Sequence, residues 1–311
     1  MPSEIFEKLY LLLIPFLTST ALTLAIEKFC IRTGLMDRPG ERKMQTQPVP
    51  RMGGLAIFAT ASIFALALSL PSPIVQSLGA LIVFLGGMFD DVNENNSVAG
   101  KLIFQIPGGI LFAAGCDLSM LAWGNGSLVI IRILIFAFVF FMTNAANLMD
   151  NMNGLAGGLC LLITATLSLI TALILREPPF ALLGLLICAS ILGFSVRNFP
   201  LGKIYMGDQG SQFLGFFCSS YAVLILLKFV SRGTSQIVPQ MGLLLGALFF
   251  LFFLDVFSVV CIRLAEGRSP FVGDQCHLSH QLLRRGFSPT AAVLILFAVQ
   301  TFISSLVLRL L

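Results

Sequence analysis

Ten apolar stretches, each about 15–24 residues long and nearly free of charge, dominate this chain. They fall at 9–29, 53–70, 74–89, 102–116, 128–143, 154–175, 180–196, 211–230, 239–262 and 289–309. No other feature narrows the fold as much. A stretch of this length spans hydrocarbon as a helix, because only a helix or a closed barrel satisfies every backbone hydrogen bond inside lipid. The lengths suit helices rather than barrel strands. Composition agrees: 57% of the 311 residues are hydrophobic and 11% charged, against about 25% charged in an ordinary soluble domain. Mean hydropathy is +0.95. The expected fold is all-α, a polytopic membrane protein with about ten transmembrane helices in a single domain over residues 1–311. Proline-rich breaks at Pro71-Ser72-Pro73 and Glu177-Pro178-Pro179 separate neighbouring spans. The first stretch follows two acids and one lysine, a poor secretory leader, and reads as a retained helix.

Ten spans sort the connecting loops onto two sides. Thirteen of the 19 lysines and arginines fall on one side, which the positive-inside rule makes cytoplasmic, leaving both termini opposite. A net charge of +4 fits this loop asymmetry better than nucleic-acid binding. Seven cysteines, none in a C-x-x-C pair and most inside apolar runs, predict buried thiols rather than disulfides or a zinc site.

The basic side also carries the polar residues that bear chemistry. Asp90-Asp91 ends the third stretch. Two adjacent carboxylates at a membrane boundary need a cation, a lysine or water to offset their repulsion. Asn144, Asn147 and Asp150 recur every third residue, so on a helix they share one face. They serve either a ligand or hydrogen bonding between helices. Asp208 and Ser211 suit a helix N-terminus, which caps itself and also favours phosphate. Arg197, Asn198 and Lys203 lie just upstream. The chain's only two histidines, His277 and His280, stand three apart, with Arg268 upstream; without surrounding cysteines they favour phosphate over zinc. Asp255, within two turns of the cytoplasmic end of the ninth stretch, requires a partner, either a structural base or a functional one.

Together these segments resemble the polyprenyl-phosphate N-acetylhexosamine-1-phosphate transferase family. Asp37-Arg38-Pro39 through Arg42-Lys43, with Pro50 to Gly54, is similar to its first cytoplasmic motif. Asp90-Asp91 matches its acidic pair, and Asn144 to Leu155 its N-x-x-N-x-x-D-G-x-D-G-L segment. Asn198 with Gly207-Asp208-Gln209-Gly210-Ser211 resembles N…M-G-D-x-G-S, and Pro270 to His280 the H-x-H-H loop. The resemblance runs in order over roughly residues 30 to 285. Three positions depart from it: Asn151 replaces a glycine, Asn153 the second aspartate, and Ser279 a histidine.

The resemblance implies a Mg2+-dependent enzyme of the bacterial cytoplasmic membrane, with its site facing the cytoplasm. It would transfer HexNAc-1-phosphate, GlcNAc-1-phosphate first among the candidates, from a UDP-N-acetylhexosamine to polyprenyl phosphate. Such a transfer is the first membrane step of a cell-envelope glycan. Phospho-MurNAc-pentapeptide transfer and membrane transport are the alternatives, and homodimer formation is an open expectation. A transporter would show midplane polar groups and matching halves, neither of which is evident. By the same resemblance, Asp90, Asp91 and Asp208 are the expected catalytic residues, with Asp208 and Asp91 on the metal. Asn144, Asn147, Asp150, Asn153 and Asn198 are expected to order the site and the nucleotide. Lys203, Arg268, His277, His280, Arg38, Arg42 and Lys43 are expected to contact phosphate or sugar, or to add positive potential.

Overall fold

The computed structural model describes residues 2–39, 45–71, 73–93, 98–119, 121, 125–232, 238–269 and 276–311. Every apolar stretch folds as helix. In chain order the helices are α1 (Pro2–Thr33), α2 (Gly54–Ala67), α3 (Ile74–Val92), α4 (Val98–Gly115), α5 (Asn125–Met149), α6 (Leu155–Leu173), α7 (Pro178–Asn198), α8 (Gly207–Ser231), α9 (Val238–Ala247), α10 (Phe250–Ala265), α11 (Leu278–Arg284) and α12 (Pro289–Leu310). A two-residue antiparallel pair, β1 (Met36–Asp37) and β2 (Val49–Pro50), closes the loop between α1 and α2, with Met36 opposite Pro50.

The expected count of ten spans is not confirmed. Among the described residues seven helices are long and apolar enough to cross a membrane, and an eighth span exists if α9 and α10 are one. Those two meet at a 67° bend, so the ninth stretch is broken rather than continuous. The apolar helix of α2 has 14 residues, and that of α4 runs only from Gly100 to Gly115. At about 1.5 Å per residue both fall short of a ~30 Å hydrocarbon layer. Their sequences are apolar enough; their length is what fails.

Helix α8 is the centre of the bundle. It lies against α2, α3, α5, α6 and α9, and its side chains from Gln209 to Val223 are buried in an unbroken run. A helix that is apolar all round belongs inside a protein, and that pattern in the sequence is why α8 is central. Phe213 packs edge-on against both Phe58 of α2 and Phe84 of α3, which stack on each other at 4.1 Å. Six of the seven cysteines are buried thiols and Cys261 is exposed.

Ion pairs mark the two ends of the bundle. Arg197 of α7 grips Glu27 of α1 through two hydrogen bonds of 2.7 and 2.8 Å. At the far end Glu177 pairs with Lys228 of α8 and with Arg232 just beyond it.

The approach of α3 to α8 is unusually close. A Cβ built on Gly87 would sit 2.4 Å from the Cα of Gln209, which no side chain there allows. We expect Gly87→Ala to force the two helices apart and cost about 1–3 kcal/mol by overpacking. Thermal unfolding in detergent should register it as a lowered Tm; an unchanged Tm would refute the tight crossing.

Candidate active site

The loops of the basic side and the helix ends that flank them enclose one cavity of about 670 Å3, the size of a site for a drug-sized ligand or larger. Its walls come from the loop after α1, the ends of α3 and α5, the loops before α6 and α8, and α11 with the start of α12. Asp91, Asn147, Asp150, Asn153, Asn198, Asp208, His277 and His280 all line it. Motifs nearly 200 residues apart in the chain therefore share one chamber.

Local geometry explains why each wall holds. The chain at Arg51–Gly54 runs beside Tyr205–Met206: the Tyr205 amide donates to Pro50 O at 2.8 Å, Gly53 to Tyr205 O at 2.9 Å, and Gly54 to Met206 O at 2.7 Å. Asp37 is held by Gln45, and Arg51 Nη1 lies 4.0 Å from it. Asn198 Nδ2 donates to Ile204 O at 2.8 Å, shaping the turn that leads into α8.

Asp91 is buried, and both its oxygens are committed. Oδ1 accepts the Asp208 amide at 3.0 Å and Oδ2 the Gln209 amide at 3.1 Å. The first turn of a helix leaves such amides without intrahelical partners, and a carboxylate there also complements the helix dipole. Gly207 makes the turn possible. It has φ of +78°, and a Cβ there would stand 2.6 Å from Asp91 Oδ2.

Asp208 faces the cavity from that turn. One oxygen accepts Asn147 Nδ2 at 3.0 Å, and the other meets the Lys101 ammonium. Asn147 Nδ2 also reaches Ser211 Oγ at 2.9 Å. Lys101 Nζ is 4.0 Å from Asp90 Oδ2, so one lysine links both carboxylates. Asp90 is buried behind it rather than on the cavity wall. Lys101 escaped the sequence reading because a single lysine at the edge of an apolar stretch looks like an ordinary flank. Its position on the basic side, beside the acids, was the available signal.

Several expected contacts lie elsewhere. Asn144 does not line the cavity: its Nδ2 donates to Gln105 Oε1 and to Phe140 O, each at 2.9 Å, and Gln105 in turn donates to Gln212 Oε1 at 3.0 Å. It bonds helix to helix, the alternative left open for it. Arg38, Lys203 and Arg268 are exposed and off the cavity wall; Arg268 pairs with Glu266. Arg42 and Lys43 lie outside the described residues.

Among the described residues, no three His, Cys, Asp or Glu side chains gather into a metal cage. Magnesium does not require one, since it commonly takes one or two carboxylates and completes its shell with water and substrate phosphate. Asp208 fits that use. It is half-exposed to the cavity, and among the described residues the cation against it is the Lys101 side chain.

Residues 73–227 match glycosyl transferase family 4. The chain is 30% identical over 301 residues to a decaprenyl-phosphate N-acetylglucosaminephosphotransferase of Mycobacterium tuberculosis (strain ATCC 25618 / H37Rv), covering 86% of this chain and 73% of that protein. It belongs to this family. A probable undecaprenyl-phosphate N-acetylglucosaminyl 1-phosphate transferase of Bacillus subtilis (strain 168) is 29% identical over 96% of this chain and 84% of its own length. An undecaprenyl-phosphate alpha-N-acetylglucosaminyl 1-phosphate transferase of Escherichia coli (strain K12) is 26% identical over 94% and 80%.

Burial, and secondarily the charge of Asp208, pushes the Asp150 carboxyl up to about 7 from its ordinary 3.8. An acid raised on folding costs stability wherever the unfolded chain has already lost its proton. The sign is therefore a loss of stability as pH rises from about 4 to about 7. Without divalent cations, the Tm of wild type should fall relative to Asp150→Asn over that window. A flat difference curve would remove Asp150 from this environment.

Proposed function

We propose that the chain transfers GlcNAc-1-phosphate from UDP-GlcNAc to a polyprenyl phosphate, releasing UMP, at the cytoplasmic face of a bacterial inner membrane. An oxygen of the lipid phosphate attacks the sugar-bearing phosphorus of UDP-GlcNAc. The P–O bond to UMP breaks, UMP leaves with the bonding pair, and polyprenyl-diphosphate-GlcNAc remains. One observation carries the reading: a single cavity at the basic end of the bundle gathers Asp91, Asp150, Asp208 and both histidines. The names of the relatives favour GlcNAc-1-phosphate over phospho-MurNAc-pentapeptide.

The obstacle to this reaction is charge, since an anionic lipid phosphate must approach an anionic diphosphate. Phosphoryl transfer is catalysed mainly by positioning and by cations that offset that repulsion. Asp208 is the residue to hold magnesium, which when bound spreads the negative charge of the diphosphate. Asp91 serves this role from behind, by fixing the backbone that carries Asp208. Lys101 supplies a second positive charge, and Asp90, buried 4.0 Å behind it, positions the lipid phosphate through that lysine. Asn147 orients Asp208, Asp150 and Asn153 face the nucleotide, and His277 and His280 contact phosphate.

The test is a panel of radiolabelled UDP-sugars with purified protein, polyprenyl phosphate and magnesium. UDP-GlcNAc should be the donor used, and chelator should abolish turnover until magnesium is restored. Asp208→Asn should lose far more than tenfold, because a tenfold loss is only ~1.4 kcal/mol of barrier. A variant retaining a tenth of the rate would remove Asp208 from the chemistry.

Asn153 allows a finer check. Aspartate offers two acceptors where asparagine offers one acceptor and two donors. Asn153→Asp should tighten UMP binding by on the order of 1 kcal/mol, the excess of a charge-assisted bond over its desolvation cost. Equal UMP affinities for wild type, Asn153→Asp and Asn153→Ala would show that residue 153 does not touch the base.

A further inference from the structure

We infer that Asp255 is a positioning residue for the transfer, acting through His277: it fixes which ring nitrogen His277 presents to the substrate phosphate. The inference deepens the function proposed above and rests on it for the identity of the ligand.

Asp255 is 1% exposed, on the buried face of α10 with Leu251, Phe252 and Val259. A carboxylate so placed is costly unless hydrogen-bonded. Its partners come from the wall of the cavity. Oδ2 lies 2.7 Å from His277 Nδ1, and Oδ1 accepts the Leu278 amide at 2.7 Å. The two contacts divide the labour: one oxygen docks the start of α11, the other turns the ring. With Nδ1 held against a carboxylate, the proton on that nitrogen is fixed, and a ring has only one other nitrogen to offer. Nε2 makes no hydrogen bond among the described residues, and His277 lines the cavity shared with Asp208.

A second tether keeps this arrangement from swinging. Ser279 Oγ donates to Asn151 Oδ1 at 2.6 Å, tying α11 to the loop between α5 and α6. The histidine wall is thus held from α10 on one side and from the Asp150 loop on the other. A lone serine–asparagine pair would not set a tautomer; a buried carboxylate on Nδ1 does.

Because the chain has only two histidines, the test is direct. The full-length protein, with 15N in its imidazole rings, is placed in lipid nanodiscs, and His280→Gln assigns the His277 signals. At a pH where the ring is neutral, His277 should show the hydrogen-bearing signature at Nδ1 and the bare one at Nε2. Asp255→Asn presents an amide that cannot accept at both positions, and should shift His277 toward the other tautomer. The same variant should lower kcat at least tenfold while the KM for polyprenyl phosphate changes less than twofold. Combining it with His277→Gln should cost no more than His277→Gln alone. A wild-type His277 carrying its proton on Nε2 overturns the inference, as does an unchanged kcat in Asp255→Asn. Should Asp255→Asn fail to fold, the wild-type tautomer still decides. A protein that shows the expected tautomer yet transfers no GlcNAc-1-phosphate refutes the proposed function instead.

Discussion

A carboxylate withdrawn from water at the edge of a membrane has to find donors, and Asp91 finds them in backbone rather than in side chains. Its two oxygens accept the first amides of α8, and in doing so set where that helix begins. The consequences spread from there. Asp208 occupies the first turn, so its carboxylate can be aimed only if the turn is fixed. Gly207 supplies the backbone conformation, and Gly87 lets α3 come near enough for the contact. The β2–Tyr205 pairing then seats the first loop against the same point. Remove the carboxylate, and two amides at a buried helix end lose their partner, a loss of roughly 1–3 kcal/mol for each group left unsatisfied.

Where the helices lie was legible in the sequence because hydrophobic length is a direct readout of the solvent. Pro71 and Pro73 lie between α2 and α3, and Glu177 stands just before α7, whose first two residues are Pro178 and Pro179. What the sequence concealed was geometry inside an apolar run. The stretch 239–262 has no charge before Asp255 and no proline after Pro239, yet it folds as two helices at 67°. Hydropathy reports that each half avoids water and says nothing of the angle between them.

The site shows the same division. Three-residue spacing correctly put Asn144, Asn147 and Asp150 on one side of α5 and its end. Spacing on a helix wheel discards depth, however. Six residues of helix are about 9 Å, so Asn144 lies well below Asp150 and meets Gln105 instead of the cavity. Asp255 was legible as a buried acid in need of a partner, but the partner is a histidine 22 residues onward, beyond any periodic rule. Basic residues were the least legible. Lys101, half-buried, stands at the acids, whereas Arg38, Lys203 and Arg268 lie exposed outside the cavity. A flexible basic side chain reads alike in a sequence wherever it ends up.

The burial of α8 has a mechanical meaning. Asp208 is the tip of a 25-residue rod wedged among five other helices and braced at its far end by Glu177. Such a rod cannot shift for one substrate without disturbing the whole bundle, since close-packed interiors yield little. The rod therefore acts as a datum against which substrates are measured. Any adjustment of the cavity falls instead to its loop-built walls, such as the turn at Asn198–Ile204.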